Sequence, residues 1–364
     1  MPRDLYTTFM LSETYRETLT TENLKVAYLT YGVRRKALWI RKYSLYLVNS
    51  LRRLGVHVDV FTTNFHFKGL GPPVFYLKNA FLKLRDYDIV HSDEGAGILV
   101  HHPCIVETYH HGYKQTYDIN SVVFSGLETF QCRRVQRIIV PSFETKNTLL
   151  HYGFRSDRIS VIYHGVDSNV FRKNRNSRVL LRRKYGISNC FVIINVGQLI
   201  KRKRQVDVIK ALQGIPNTAL ILVGCGEEEK HIKKLARKTG IKLIYFEEVP
   251  ESSLVDLYNA ADVYVHTSIC EGFGLTILEA MACGLPIIAY NVADFTEIVR
   301  EAGVLLKPED LHGVRDALLW LKDNLAERER LGQIAQKESA KYTWEKAAKE
   351  HLTVYLRAIN ESQK

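Results

Sequence analysis

The chain is 364 residues long, enough for two or three domains that each bury a core, which excludes a peptide ligand or a disulfide-stapled miniprotein. Apolar residues make up 46% and charged residues 25%, a globular balance that excludes a disordered chain. With 51 Lys and Arg against 39 Asp and Glu the formal charge is +12; residues 1–184 alone hold 28 basic and 15 acidic side chains, so the N-terminal half suits a polyanionic partner such as nucleic acid, an anionic membrane face or a phosphorylated substrate.

Residues 1–24 read as a polar extension, too polar for a signal peptide, and no run approaches the roughly 18 apolar residues of a bilayer span. Six scattered cysteines without a C-x-x-C pair read as reduced thiols, so a cytoplasmic protein is expected, one that would meet a membrane only peripherally, at its cytoplasmic face. Short β-rich runs then alternate with helical patterns. Strands are predicted at 24–30, 56–62, 89–91, 104–109, 137–141 and 159–163, with helices at 40–54 and 142–151. The stretch from Asp167 to Lys184, dense in Arg and Lys but poor in apolar periodicity, holds the interdomain linker, placed at 171–184. Strands recur at 191–196, 219–223, 242–246, 263–267 and 286–290. Such βα alternation predicts an α/β protein with two doubly wound Rossmann-like domains, 25–170 and 185–341, facing across a cleft at the carboxyl ends of their strands.

The most informative segment runs from Thr267 to Pro286. A strand ends near Thr267, a Gly-bracketed loop carries Glu271, and a helix opens near Leu275 and stops at Cys283, with Gly284 as its C-cap. Amides at Gly274, Leu275 and Thr276 crown that helix start, and together with the helix dipole they predict an anion site. Glu271 and Glu279 lie eight positions apart, a rise of about 12 Å along a helix. That exceeds the roughly 5 to 9.5 Å carboxylate pair of a glycoside hydrolase. The spacing suits two hydroxyl-rich ends of one extended ligand with a pyrophosphate between them.

With these residues the sequence resembles the retaining glycosyltransferases of family 4, which have the GT-B fold and an E-x7-E motif, here Glu271 to Glu279. The resemblance extends over 161–167 with Phe171, 195–199 with Lys203, 222–226, and Tyr342-Thr343-Trp344-Glu345. It implies transfer of a sugar from a nucleotide-diphosphate sugar to a hydroxyl acceptor, lipid-linked or glycan, with no metal and no cofactor beyond the donor. It assigns Glu271 to the transferred sugar and Glu279 to the ribose, with Gly272, Phe273, Gly274, Leu275 and Thr276 along the donor. In the family an Arg follows the Gly corresponding to Gly197, and a Lys five positions further on helps hold the diphosphate. This chain has Gln198 and Lys203 there; Gln lacks the charge and the guanidinium fork, so Lys203 carries the role, aided by Arg204 or Lys201. By the same resemblance Gly224 borders the nucleotide, Val249 lies where the base rests, and residues 342–364 form a C-terminal helix returning to the N-terminal domain. Thr108-Tyr109-His110-His111-Gly112 resembles the family's T-x-H, whose His reaches the sugar. His110 matches by distance from Thr108 and is preferred; His111 matches by adjacency to Gly112.

Other motifs weigh less. Gly224-Cys225-Gly226 has Glu229 where a dinucleotide fingerprint needs its third Gly, and Asp86-Tyr87-Asp88 reads as a turn before a strand rather than a metal site. Residues 33–54 set Trp39 and Tyr43 among Arg34, Arg35, Lys36, Arg41 and Lys42. That pattern suits either an amphipathic helix packed on the sheet or attachment to an anionic membrane surface. A GT-B epimerase or sugar phosphorylase would share the phosphate site. A nucleic-acid-binding protein finds support only in the charge, and no nucleic-acid partner is expected.

Overall fold

The structure is a computed structural model that describes residues 23–30, 38–62, 77–93, 95–110, 119–293 and 295–363. Its contacts divide the chain into one unit of Met1–Val140, Leu149–Ile162 and Glu345–Lys364 and a second of Pro141–Thr148 and Tyr163–Trp344.

The first unit contains strands β1 (Lys25–Leu29), β2 (His57–Phe61), β3 (Ile89–Asp93), β4 (Ile105–Thr108), β5 (Arg137–Val140) and β6 (Ile159–Val161). They form a parallel sheet in the order β2-β1-β3-β4-β5-β6. The order reverses at β1, so the carboxyl ends of β1 and β3 flank the switch point where such sheets take ligands. Ala27, Val90, Ile105, Ile138 and Val140 belong to one buried core. Strands covered on both faces need apolar residues at successive positions, which is why they read as continuous runs. Helices α1 (Leu38–Arg53), α2 (Ile119–Arg134) and α3 (Phe143–His151) separate the strands in sequence.

The second unit contains β7 (Phe191–Val196), β8 (Thr218–Val223), β9 (Lys242–Phe246), β10 (Val263–His266), β11 (Ile287–Tyr290) and β12 (Gly303–Leu306). Their parallel order β12-β11-β10-β7-β8-β9 is the Rossmann order, with its switch point between β7 and β10. Helices α4 (Arg175–Lys184), α5 (Gln205–Leu212), α6 (Glu229–Thr239), α7 (Glu251–Ala260), α8 (Leu275–Ala282), α9 (Phe295–Val299), α10 (Leu311–Asp323) and α11 (Leu325–Ser339) complete it, and α12 (Trp344–Ser362) ends the chain. Most residues of α12 belong to the first unit, where His351 and Tyr355 are fully buried.

Two expectations differ from this picture. Residues 171–184, read as a linker, contain helix α4 of the second unit. Asn174 caps it by accepting from the amides of Asn176 and Ser177, and Arg178 and Arg182 pair with Asp262 at 2.5 and 3.0 Å. The cations that hid the helical pattern are partly internal: Arg182 is buried against Asp262 and the carbonyl of Cys190. The second sheet also gains β12, whose four residues are too few for a periodicity signal. A Cβ on Gly303 would lie 1.9 Å from the Ile287 carbonyl oxygen, so this glycine permits the pairing of β12 with β11.

Candidate functional site

In the second unit the site begins where β7 and β10 end, at the switch point. After β7 the chain passes Gly197 and Gln198 and makes a short 3-10 turn over Lys201–Lys203 before α5. After β10 it passes Thr267 to Gly274 and enters α8. Backbone contacts tie the two loops together: the amide of Ile269 donates to the Arg202 carbonyl at 3.0 Å, and Thr267 Oγ1 donates to the Arg204 carbonyl at 2.9 Å. Lys203 and Glu271, far apart in sequence, are thereby brought side by side.

The Lys203 ammonium donates to Glu271 Oε1, and His266 Nε2 lies 2.8 Å from the same oxygen. Glu271 Oε2 makes no hydrogen bond among the described residues, with Arg202 Nη1 3.9 Å away. Burial pushes the Glu271 carboxyl up, but Lys203, His266 and Arg202 outweigh it and hold it well below the usual carboxylate range. Burial shifts the Lys203 ammonium down, against the pull of Glu271. Glu271 is a carboxylate with one oxygen saturated and one open.

Around this pair runs a chain of side chains. The Tyr264 hydroxyl lies 3.0 Å from His266 Nδ1 and 2.7 Å from Thr276 Oγ1. The Tyr258 hydroxyl lies 3.4 Å from the Thr276 carbonyl oxygen and 3.0 Å from Glu279 Oε2. Glu279 is buried, so its carboxylate is held inside the unit rather than on a solvated helix face. Between the two acids, α8 opens at Gly274, which has φ of 86° and puts no side-chain cap on the first amides. Gly284 closes the helix in the left-handed conformation expected of it, with φ of 78°.

The remaining candidates divide. Phe273 turns its ring into an aromatic cluster with His164 (4.8 Å between centroids), Tyr163 (5.8 Å) and Tyr342 (6.4 Å), leaving its backbone for the loop. A Cβ on Gly165 would lie 2.2 Å from the Trp344 amide nitrogen, and the Val166 amide donates to the Tyr342 carbonyl, so the motifs at 161–167 and 342–345 form one clasp against Phe273. Arg204 does not join Lys203: its guanidinium is spent on Asp207 at 2.7 Å and Glu309 at 2.7 Å. Gly224 and Gly226 exist for backbone packing. A Cβ on them would meet the Gly197 and Leu199 carbonyl oxygens at 1.9 and 2.2 Å, while the Gly224 carbonyl accepts from the Tyr245 hydroxyl. The Gln198 carbonyl accepts from Gln205 Nε2 at 2.8 Å, and Val249 is half-buried just before α7. Arg202, His266, Tyr264 and Tyr258 escaped the sequence reading. Tyr264 and His266 fall at alternate positions of one apolar strand, and a His at the carboxyl end of that strand was the available signal.

In the first unit His110 follows β4, and its Nε2 lies 2.5 Å from Asp93 Oδ1 at the end of β3. Asp93 Oδ2 accepts from Ser44 (2.8 Å), Thr30 (3.1 Å) and Tyr28 (3.3 Å). Burial pushes Asp93 up, but His110 and the other donors prevail and hold it at about 2. Of the two readings open for Tyr43, packing on the sheet is the one that holds: it is buried, its ring meets His110 edge-on at 4.5 Å and its hydroxyl lies 2.9 Å from His351 Nε2. His91 sits between the Tyr355 hydroxyl and Thr108 Oγ1. His111 and the Arg34-Arg35-Lys36 cluster lie outside the described residues. Asp86-Tyr87-Asp88 leads into β3, with Asp88 accepting from the Lys25 amide and Tyr87 donating to Asp59.

The family described as "Glycosyl transferases group 1" matches residues 178–338, and "Glycosyltransferase Family 4" matches residues 64–170. Each unit thus matches a glycosyltransferase model, and the chain is similar to the family 4 glycosyltransferases along both. A D-inositol 3-phosphate glycosyltransferase of Corynebacterium glutamicum is 30% identical over 232 residues, 59% of this chain and 56% of that protein. The chain thus spans about half the length of the curated relatives it matches. Sucrose-phosphate synthase from Thermosynechococcus elongatus shares the fold with a TM-score of 0.78 at 20% identity, covering 92% of this chain and 98% of that one. The Anabaena protein HepE, solved with UDP-glucose, gives 0.72 at 20% identity, with 92% and 98% covered. The family's fold is GT-B, two parallel-sheet Rossmann-like domains, which is the architecture of this chain.

Proposed function

We propose that this chain is a retaining glycosyltransferase that moves a sugar from a nucleotide-diphosphate sugar to a hydroxyl acceptor without a metal. The observation that carries this reading is the juxtaposition, at the switch point of the second unit, of a largely buried cation, a carboxylate with one open oxygen and an uncapped helix start. Lys203 and the first amides of α8 would take up the negative charge that develops on the departing diphosphate, and Glu271 would orient the sugar through Oε2. Glu279, fixed by Tyr258, would bind the ribose at the other end. By the family resemblance His110, fixed by Asp93, is the histidine assigned to the transferred sugar. HepE's complex with UDP-glucose supports a nucleotide-sugar donor. A relative named for D-inositol 3-phosphate supports an anionic acceptor, in keeping with the basic N-terminal half. Among the described residues no helix is long and apolar enough to cross a membrane. The six cysteines, scattered and free, support a reaction in the cytoplasm, with a lipid-linked acceptor met at the membrane face.

The test is calorimetry with nucleoside diphosphates, followed by turnover of the matching nucleotide sugars in the presence and absence of EDTA. Transfer with the anomeric configuration kept, unaffected by EDTA, is expected. Inversion, or loss of activity restored by Mg²⁺, would overturn the retaining or the metal-independent part. An epimerised nucleotide sugar, or a sugar phosphate formed from inorganic phosphate, would identify an epimerase or a phosphorylase instead.

A further inference from the structure

We propose that His266, held by Tyr264, is the positioning residue of Glu271: it keeps the carboxylate aimed at the sugar when the donor's diphosphate engages Lys203. The proposal rests on the transferase reading above. It starts from a saturated oxygen, since Glu271 Oε1 receives both Lys203 and His266 while Oε2 stays open. In that reading Lys203 serves the diphosphate. As its ammonium turns to the phosphate oxygens, Oε1 loses its closest cation while remaining in a largely buried position. A buried carboxylate without a donor is costly and free to swing. His266 is the group still in contact.

The proton order along this chain follows from its chemistry. Glu271 is ionised and only accepts, so the 2.8 Å contact requires the hydrogen on His266 Nε2. Burial keeps His266 in its neutral form, so Nδ1 is a lone pair and accepts from the Tyr264 hydroxyl 3.0 Å away. The same hydroxyl lies 2.7 Å from Thr276 Oγ1 and 3.3 Å from the Val196 carbonyl oxygen, acceptors that compete for its one hydrogen. The proposed order is Tyr264 donating to His266 and His266 donating to Glu271. The ring is clamped by packing as well: Tyr264 stacks on it at 5.9 Å and Phe295 meets it edge-on at 5.6 Å. Thr276 is the second residue of α8, so the chain joins the sugar-contacting carboxylate to the helix turn that would bear the diphosphate.

The experiment uses the full chain with uridine diphosphate as binding probe and UDP-glucose as donor. His266→Leu should lower kcat about tenfold to a hundredfold while the affinity for uridine diphosphate stays within about twofold. His266→Gln, whose amide can donate from the Nε2 position, should recover most of the lost rate, and Tyr264→Phe should lose only about threefold. Wild-type kcat in His266→Leu, or a Gln variant no better than the Leu variant, would overturn the proposal. Nitrogen-15 shifts of His266, assigned by their absence in His266→Gln, give a readout independent of turnover. The Nε2-protonated tautomer at neutral pH supports the proposed order, and an Nδ1-protonated ring or an imidazolium overturns it. A wild-type chain that transfers from no nucleotide sugar would sink the transferase reading, and the nitrogen shifts would still decide the proton order.

Discussion

Each unit sets a largely buried carboxylate against a histidine near the carboxyl end of a central strand, but they use the pair differently. Asp93 in the first unit has both oxygens engaged, by His110, Ser44, Thr30 and Tyr28. Glu271 in the second has one oxygen engaged and one open, and its main partner is a lysine. A carboxylate with all its lone pairs committed holds structure together and orients its histidine, whereas one with a free oxygen keeps capacity for a ligand. Charge differs as well. The first unit surrounds Asp93 with hydroxyls and histidines, His110 and His91 among them; the second packs Lys203 and Arg202 around Glu271.

Removing the closed carboxylate should give the largest change. Asp93→Ala strands three hydroxyl donors and the His110 ring, and a loss of about 3 kcal/mol is expected, in the range for breaking a buried pair. Thermal unfolding with hydrogen exchange should place the loss in the first unit, and an unchanged first transition would end the view of Asp93 as its keystone.

The open carboxylate should respond in function instead. Glu271→Ala is expected to lower turnover about a hundredfold with nucleotide affinity nearly kept, while Glu279→Ala weakens nucleotide binding about tenfold. Calorimetry with the free diphosphate separates the two, and equal affinity losses would show that the acids do not serve opposite ends of the donor.

Acid should break the first unit in a predictable direction. Burial lowers His91 to about 3 and His351 to about 4, below the usual value near 6.5. The unfolded chain therefore binds protons that the folded one refuses, so stability is full above pH about 6.5 and falls as pH drops toward 4. Each histidine contributes a slope of about 1.4 kcal/mol per pH unit in that window. Melting as a function of pH should show it, and His351→Gln should flatten it; a flat profile in the wild type would mean that these rings are not buried neutral.

The smallest effect concerns a cation outside the pair. Arg204→Gln should leave nucleotide affinity within about twofold, because its guanidinium is committed to Asp207 and Glu309, and should cost about 1 to 2 kcal/mol of stability, since Asp207 is buried and among the described residues keeps only the Tyr290 hydroxyl as a strong donor. A tenfold loss of affinity would return Arg204 to the donor site.

What the sequence determined by itself was local and periodic. Runs such as Ala219 to Val223 are apolar at every position because their strands are covered on both faces, and the helix start at Leu275 with its stop at Gly284 follows from backbone chemistry that needs no distant partner. The E-x7-E spacing drew attention to Glu271 and Glu279 for the same reason. Tertiary structure decided which charges are spent and which are kept. The family spacing from Gly197 picks out Lys203, but nothing in the run shows that Arg204 turns away from it to Asp207 and Glu309. The choice is made by the loop after β10 lying on the turn after β7. Helix α4 was hidden for a related reason, since its buried arginine finds a carboxylate 80 positions away. Tyr43 became internal because α12 brings His351 to it from the far end of the chain. A hydrogen bond or ion pair depends on distances of a few ångströms, and pattern along the chain carries none of these once the partners are far apart in sequence.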